Sequence, residues 1–158
     1  MSPSRTLPGR LLLLAAAGNF AVALLHLVLA FAGENTNRFF GAPPWVLDLF
    51  QQERALLVVL VLAMTALFTL FGLYDVSGAG GFRHLPLLRT VLVAVGVIYT
   101  LRGLELPLDI VAALNRPAFG RQFILFSAVA LLIGIASLAG TLGRWRDFTA
   151  RPARRLEI

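Results

Sequence analysis

The chain has 158 residues, of which 58% are hydrophobic and 14% charged, against roughly a quarter charged in ordinary globular chains. It has no cysteine, which excludes disulfides, thiol redox chemistry, Cys–zinc sites and cysteine nucleophiles. Its formal net charge of +6 comes with fourteen arginines and no lysine, and the placement of those arginines points to a membrane rather than to nucleic acid.

Two arginines, Arg5 and Arg10, precede the first long apolar run, at about 11–32. The run exceeds the 7–15 apolar residues of a signal peptide and is near the ~20 needed to cross a ~30 Å hydrocarbon core. It is read as a spanning helix. Ala15, Asn19, Ala23, His26 and Ala30 recur at spacings of three and four, so they form one small and polar stripe. Small residues let helices approach closely, and Asn and His there need partners across the interface. His26 is therefore expected to point inward, roughly 9 Å from the far end of the helix at 1.5 Å per residue.

The loop from Gly33 to Arg54 contains "RFFGAPPWVLDLFQQER". Pro44 suits a first helical turn, and Trp45, Val46, Leu49 and Phe50 follow at helical spacing. A short interfacial helix is expected at about 44–52. The second span, about 55–74, places Arg54, Val61, Thr65, Thr69 and Gly72 on one face. The Gly-rich stretch from Asp75 to Arg89 reads as a tight turn that packs spans two and three antiparallel. Asp75 with Arg83 or Arg89 reads as a structural ion pair closing that turn.

The third span, about 90–106, carries Arg102 and, one turn on, Glu105. Their i,i+3 spacing suits an ion pair. Asp109 shares that face only if the helix survives Pro107. A second interfacial segment is expected at about 107–115. The fourth span, about 122–142, has Ser127, Ala130, Gly134, Ser137 and Thr141 at packing spacings. A basic tail, 143–158, follows. "GNFAVALLH" from Gly18 and "GVIYTLRGL" from Gly96 lead to "NRFFG" and "NRPAFG" respectively, which suggests two parallel helix–lid–helix repeats.

The fold class is thus an all-α polytopic membrane protein: one membrane domain over 1–158, a four-transmembrane-helix bundle with short interfacial helices in both outer loops. With both termini on one side, that side carries nine arginines against three acids, and the other five against five. The whole excess lies on one face, which the positive-inside rule makes cytoplasmic.

A charge at mid-bilayer costs ~2.5–3.5 kcal/mol on insertion scales, so charged residues inside the spans need partners or a function. Arg102, Glu105, Glu53, Arg54 and His26 are expected at one depth beneath the lids, as a polar pocket in which Arg102 offers its fork to a phosphate or carboxylate. The rival reading is a structural ion-pair network. No metal site is expected, because His26 and His84 fall on opposite sides. No cofactor is expected, since no P-loop, HExxH, GxSxG or GxGxxG is present.

"RFFGAP", "LYDVSGAG", "RHLPLLRTVLVAVGVIYTLRGL" and the early "LLHL" together resemble a family of small bacterial four-helix integral membrane proteins with no known activity. The resemblance covers roughly His26 to Leu104. It implies a bacterial inner-membrane location, places Arg38, Arg89 and Arg102 in recurring motifs, and carries no catalytic role. The short-lid, four-helix plan is also similar to DoxX-like proteins, in architecture alone. The expected function is binding of a lipid headgroup or hydrophobic small molecule at an outer-leaflet pocket, without intrinsic catalysis. Membrane lipids are the expected partners, with a second copy or a membrane-complex subunit as the alternative. An oligomeric transporter or channel, a membrane enzyme acting on lipid or quinone through His26 or Glu105, and an assembly subunit are the competing readings.

Overall fold

The computed structural model describes residues 3–116 and 120–148. After a short 3-10 turn, Pro3–Arg5, these residues form seven α-helices: α1 Leu7–Phe31, α2 Glu34–Phe39, α3 Pro44–Gln52, α4 Arg54–Gly78, α5 Leu88–Gly103, α6 Leu106–Asn115 and α7 Gln122–Gly143. Four stretches among them are long and apolar enough to cross a membrane: α1, α4, the Leu88–Asn115 run that holds α5 and α6, and α7. The protein is an all-α, multi-pass membrane protein.

Local sequence sets the boundaries. Thr6 caps α1 by accepting from the Gly9 N–H at 3.3 Å, with Pro8 in the first turn, where its missing N–H costs nothing. Glu53, at φ −145° and ψ 69°, breaks α3 from α4. Pro107 stands in the first turn of α6, so the third span does not run straight through it. The chain turns at Leu104–Glu105 and starts a new helix.

α1 packs along α4, α7 packs along α5, and α1 and α7 join the two pairs, whereas α4 and α5 touch only sparsely. The tight packing of spans two and three expected from their short connection is therefore not what forms. Each half has the same plan, a spanning helix, a lid and a second spanning helix folded back on the first; residues 117–119 of the second lid, within "NRPAFG", lie outside the described residues. The α5–α7 seam is close enough to need glycine. A Cβ on Gly134 would lie 2.5 Å from the Thr100 backbone nitrogen, and one on Gly103 would lie 2.5 Å from Leu131 Cα. This is small-residue packing in a setting where lipid supplies little hydrophobic drive between helices.

The interior is built on two clusters. One gathers Ala15, Val95, Tyr99, Ala130, Ile133 and Ala136, and the other Leu12, Ala79, Leu88 and Leu92. Leu56, Val59, Leu62, Leu67 and Leu70 of α4 are exposed, as a helix facing lipid requires. The two ends differ. A Cβ on Gly143 would meet Pro8 at 2.6 Å, so the start of α1 and the end of α7 lie together with the 79–87 turn, at the loop end. The lids α2, α3 and α6 cover the other, the lid end.

Candidate functional site

At the lid end a lateral groove of about 470 Å³ opens between α1, α7 and α5. Val22, Leu25, Phe126, Val129 and Ile133 give it apolar walls, Arg102 is its charged member, and His26 and Tyr99 also line it. Exposed Leu125 and Val129 line it, so it opens sideways, toward the lipid-facing surface. A second cavity of about 330 Å³ lies under α3, between Trp45, Val46, Leu57 and Met64, and shares His26 and Phe40 with the groove.

Arg102 is held by two oxygens, one of them braced by a third. Its Nη1 donates to Glu105 Oε2 at 2.6 Å and to Ser127 Oγ at 2.9 Å, and Ser127 Oγ in turn donates to Asp109 Oδ2. Ser127 is fully buried, whereas the Arg102 and Glu105 side chains are 42% and 56% exposed. An ion pair that exposed contributes about 0–1 kcal/mol, so it positions Arg102 more than it stabilises the fold. Among the described residues, Arg102 Nε and Nη2 have no protein partner. Half the guanidinium fork is anchored and half is available.

The His26 ring packs against Phe68 in a tilted arrangement, centroids 4.8 Å apart, and its Nδ1 lies 2.9 Å from the Val22 carbonyl oxygen. A carbonyl only accepts, so Nδ1 carries the proton. In the neutral ring Nε2 is then an acceptor, with no protein partner among the described residues.

The lid itself is fastened. Buried Asn37 donates to the Leu29 and Gly33 carbonyl oxygens, Gln122 donates to the Phe39 carbonyl oxygen at 3.2 Å, and Phe40 stacks on Phe126 at 5.6 Å. Arg38 pairs with Glu34, and Gln51 donates to Glu34 at 3.1 Å, tying α2 to α3. The Arg38 guanidinium, with the Gln51 amide behind it, holds the Glu34 carboxyl below its ordinary range.

The five residues expected in one pocket separate. Arg102 and His26 share the groove, and Glu105 joins through Arg102. Glu53 and Arg54 are exposed, do not line the groove, and among the described residues no side-chain hydrogen bond or ion pair joins them to the others. Both residues sit at the α3–α4 junction, Glu53 in the break itself and Arg54 as the first residue of α4, and α4 packs mainly along α1 and only sparsely on α5, which carries Arg102. The ion pair expected of Asp75 with Arg83 or Arg89 does not form either. α4 continues to Gly78, so Asp75 turns inward, where Asn19 Nδ2 donates to its Oδ2 at 2.8 Å and Ser137 Oγ to its Oδ1 at 3.2 Å. Arg83 contributes only its backbone oxygen, to Ser77, while Arg89 lies over the Trp145 ring at 4.8 Å and donates to the Trp145 carbonyl oxygen. The structure adds Ser127 and Asp109 to the site. Ser127 was visible in the sequence only as a packing residue.

Comparison with known protein families, with curated proteins and with solved structures finds no match.

Proposed function

We propose that the protein binds an anionic amphiphile, a lipid or a similar hydrophobic small molecule, in the lateral groove, and that it does so without catalysis. The observation that carries the reading is the pairing in one groove of apolar walls with a half-occupied arginine fork. A site of about 470 Å³ is within the size range of small-ligand pockets. The free Nε and Nη2 of Arg102 suit two oxygens of a phosphate or carboxylate, and the apolar walls suit an acyl or prenyl body. His26 Nε2 can accept from a hydroxyl deeper in the groove. Glu105, Ser127 and Asp109 fix the guanidinium; Glu53 and Arg54 take no part.

The membrane is the bacterial inner membrane, with both termini cytoplasmic. The arginine asymmetry supports that orientation: among the described residues the loop end holds Arg5, Arg10, Arg83, Arg89, Arg144 and Arg146 with Asp75 and Asp147, while the lid end has as many acids as arginines. The groove then opens to the outer leaflet.

Native mass spectrometry of protein extracted from its membrane tests the reading. Wild type should carry a bound anionic lipid that Arg102→Gln, folded to the same helix content, loses. Equal lipid retention in both would remove Arg102 as the anchor.

A further inference from the structure

Asp75 is fully buried, three residues inside the end of α4, and does not line the groove. It lies where α1, α4 and α7 meet. The groups facing it are Asn19 from α1 and Ser137 from α7, with the buried Tyr99 of α5 in the adjoining core. The Tyr99 hydroxyl has no partner there.

No described cation is paired with this acid. Arg144 is buried but spends its bonds on the Gly78 carbonyl oxygen and Asp147. Arg89 donates to the Trp145 carbonyl oxygen, and Arg102 is at the lid end, paired with Glu105. His26, seven residues along α1 from Asn19, bonds Val22. An acid inside a membrane bundle with no fixed counter-charge is by default a functional group. Its counter-charge is then mobile, a proton or a small cation.

The donors decide between the two. A hard cation needs converging oxygens. Asn19 presents its nitrogen to Asp75, and that assignment is fixed because the same Nδ2 also donates to the Ala15 carbonyl oxygen at 3.3 Å, which can only accept. Ser137 Oγ stands 3.2 Å from Asp75 Oδ1 and 3.4 Å from the Leu92 carbonyl oxygen, and its single hydroxyl proton serves one of them at a time. With Asp75 ionised, it serves Oδ1. With a proton on Oδ1, Asp75 donates to Ser137 Oγ and the serine donates to Leu92. One hydroxyl rotation satisfies both states and moves no helix.

We infer that Asp75 is a reversible proton-binding site within the bundle, with Ser137 as its hydrogen-bond switch. The step forms an O–H bond on Oδ1 as one O–H bond of a hydronium ion breaks and leaves water, and the reverse step returns the proton to water. Asp75 itself does not line the groove, although Tyr99, which does, lies in the core beside it.

Infrared difference spectra between acidic and basic pH, on the full chain in lipid nanodiscs with ¹³C-labelled aspartate, test it. Beside the band of the other aspartates, a separate high-frequency carboxylic-acid C=O band of a buried acid should titrate in wild type and be lost in Asp75→Asn, but persist in Asp48→Asn, Asp109→Asn and Asp147→Asn. Ser137→Ala should keep the band and shift its frequency, because the hydroxyl that accepts from the acid is gone. If Asp75→Asn fails to fold, an unshifted band in Ser137→Ala overturns the proposal. So does survival of that high-frequency band in Asp75→Asn. Absence of that high-frequency band, with sodium-dependent thermal stability instead, would assign a bound cation and equally overturn it.

Discussion

The side-chain amide of Asn19 donates to the Asp75 carboxylate at 2.8 Å, joining the middle of α1 to the last turn of α4. Both residues are fully buried, and a buried acceptor that loses a donor costs about 1–3 kcal/mol. Asn19→Leu, close in size, should therefore destabilise the protein by about that amount. Asn19→Leu/Asp75→Leu should recover most of the loss, since it removes the stranded acceptor. Chemical unfolding in mixed micelles measures both. A double variant no more stable than Asn19→Leu would mean the two side chains are not coupled.

Around Arg102 the two partners should differ in weight. Glu105→Gln removes an exposed pair and should shift unfolding by no more than about 0.5 kcal/mol. Ser127→Ala removes a fully buried hydroxyl that joins Arg102 to Asp109, and should shift it by about 1–2 kcal/mol. The same unfolding assay ranks them, and the reverse order would contradict the network described.

The lid turn depends on Gly41. Its φ is +84°, and a Cβ there would meet the Phe123 ring at 2.7 Å. Gly41→Ala combines left-handed strain of roughly 1–2 kcal/mol with that clash. It should loosen α2 and α3 while leaving the spanning helices intact. Hydrogen exchange should rise in residues 34–52 and stay unchanged in α1 and α7.

The α2–α3 tie should respond to acid. Hydrogen bonds from Arg38, the larger effect, and from Gln51 depress the Glu34 pKa from its ordinary 4.5. A depressed carboxyl contributes its stability above the unfolded pKa and loses it as pH falls through the lower folded value. The tie is thus intact above pH 4.5 and released below it. Trp45 on α3 reports this by fluorescence: a transition below pH 4.5 in wild type, flattened in Glu34→Gln. A transition unchanged by that substitution would place the acid response elsewhere.

Much of the fold is legible in the sequence because long apolar runs and Pro44 or Pro107 at helix starts act locally. The α1 stripe of Ala15, Asn19, Ala23 and Ala30 is buried as its period requires, with His26 at its half-buried edge, and the α7 stripe from Ser127 to Thr141 is buried throughout. What does not follow from spacing is which stripe meets which. A short connection suggests that α4 and α5 are neighbours, but surface fit decides. Gly72 receives the Phe20 ring of α1, and Gly134 receives the Thr100 backbone of α5, so α4 goes to α1 and α5 to α7. That choice removes Glu53 and Arg54 from the site. Asp75 reads as a loop residue because an acid after an apolar run resembles a boundary. The signal against that reading was present: Gly72 and Asp75 are three apart on one face, and polar Asn19 and Ser137 lie on the two other stripes.

A structure in a lipid nanodisc tests the central claim most directly. Density for an apolar chain should run between α1 and α7, past Val22 and Val129, with an anionic head within hydrogen-bond distance of Arg102 Nε and Nη2. A groove without such density, and an Arg102 bonded to Glu105 and Ser127 alone, would contradict it.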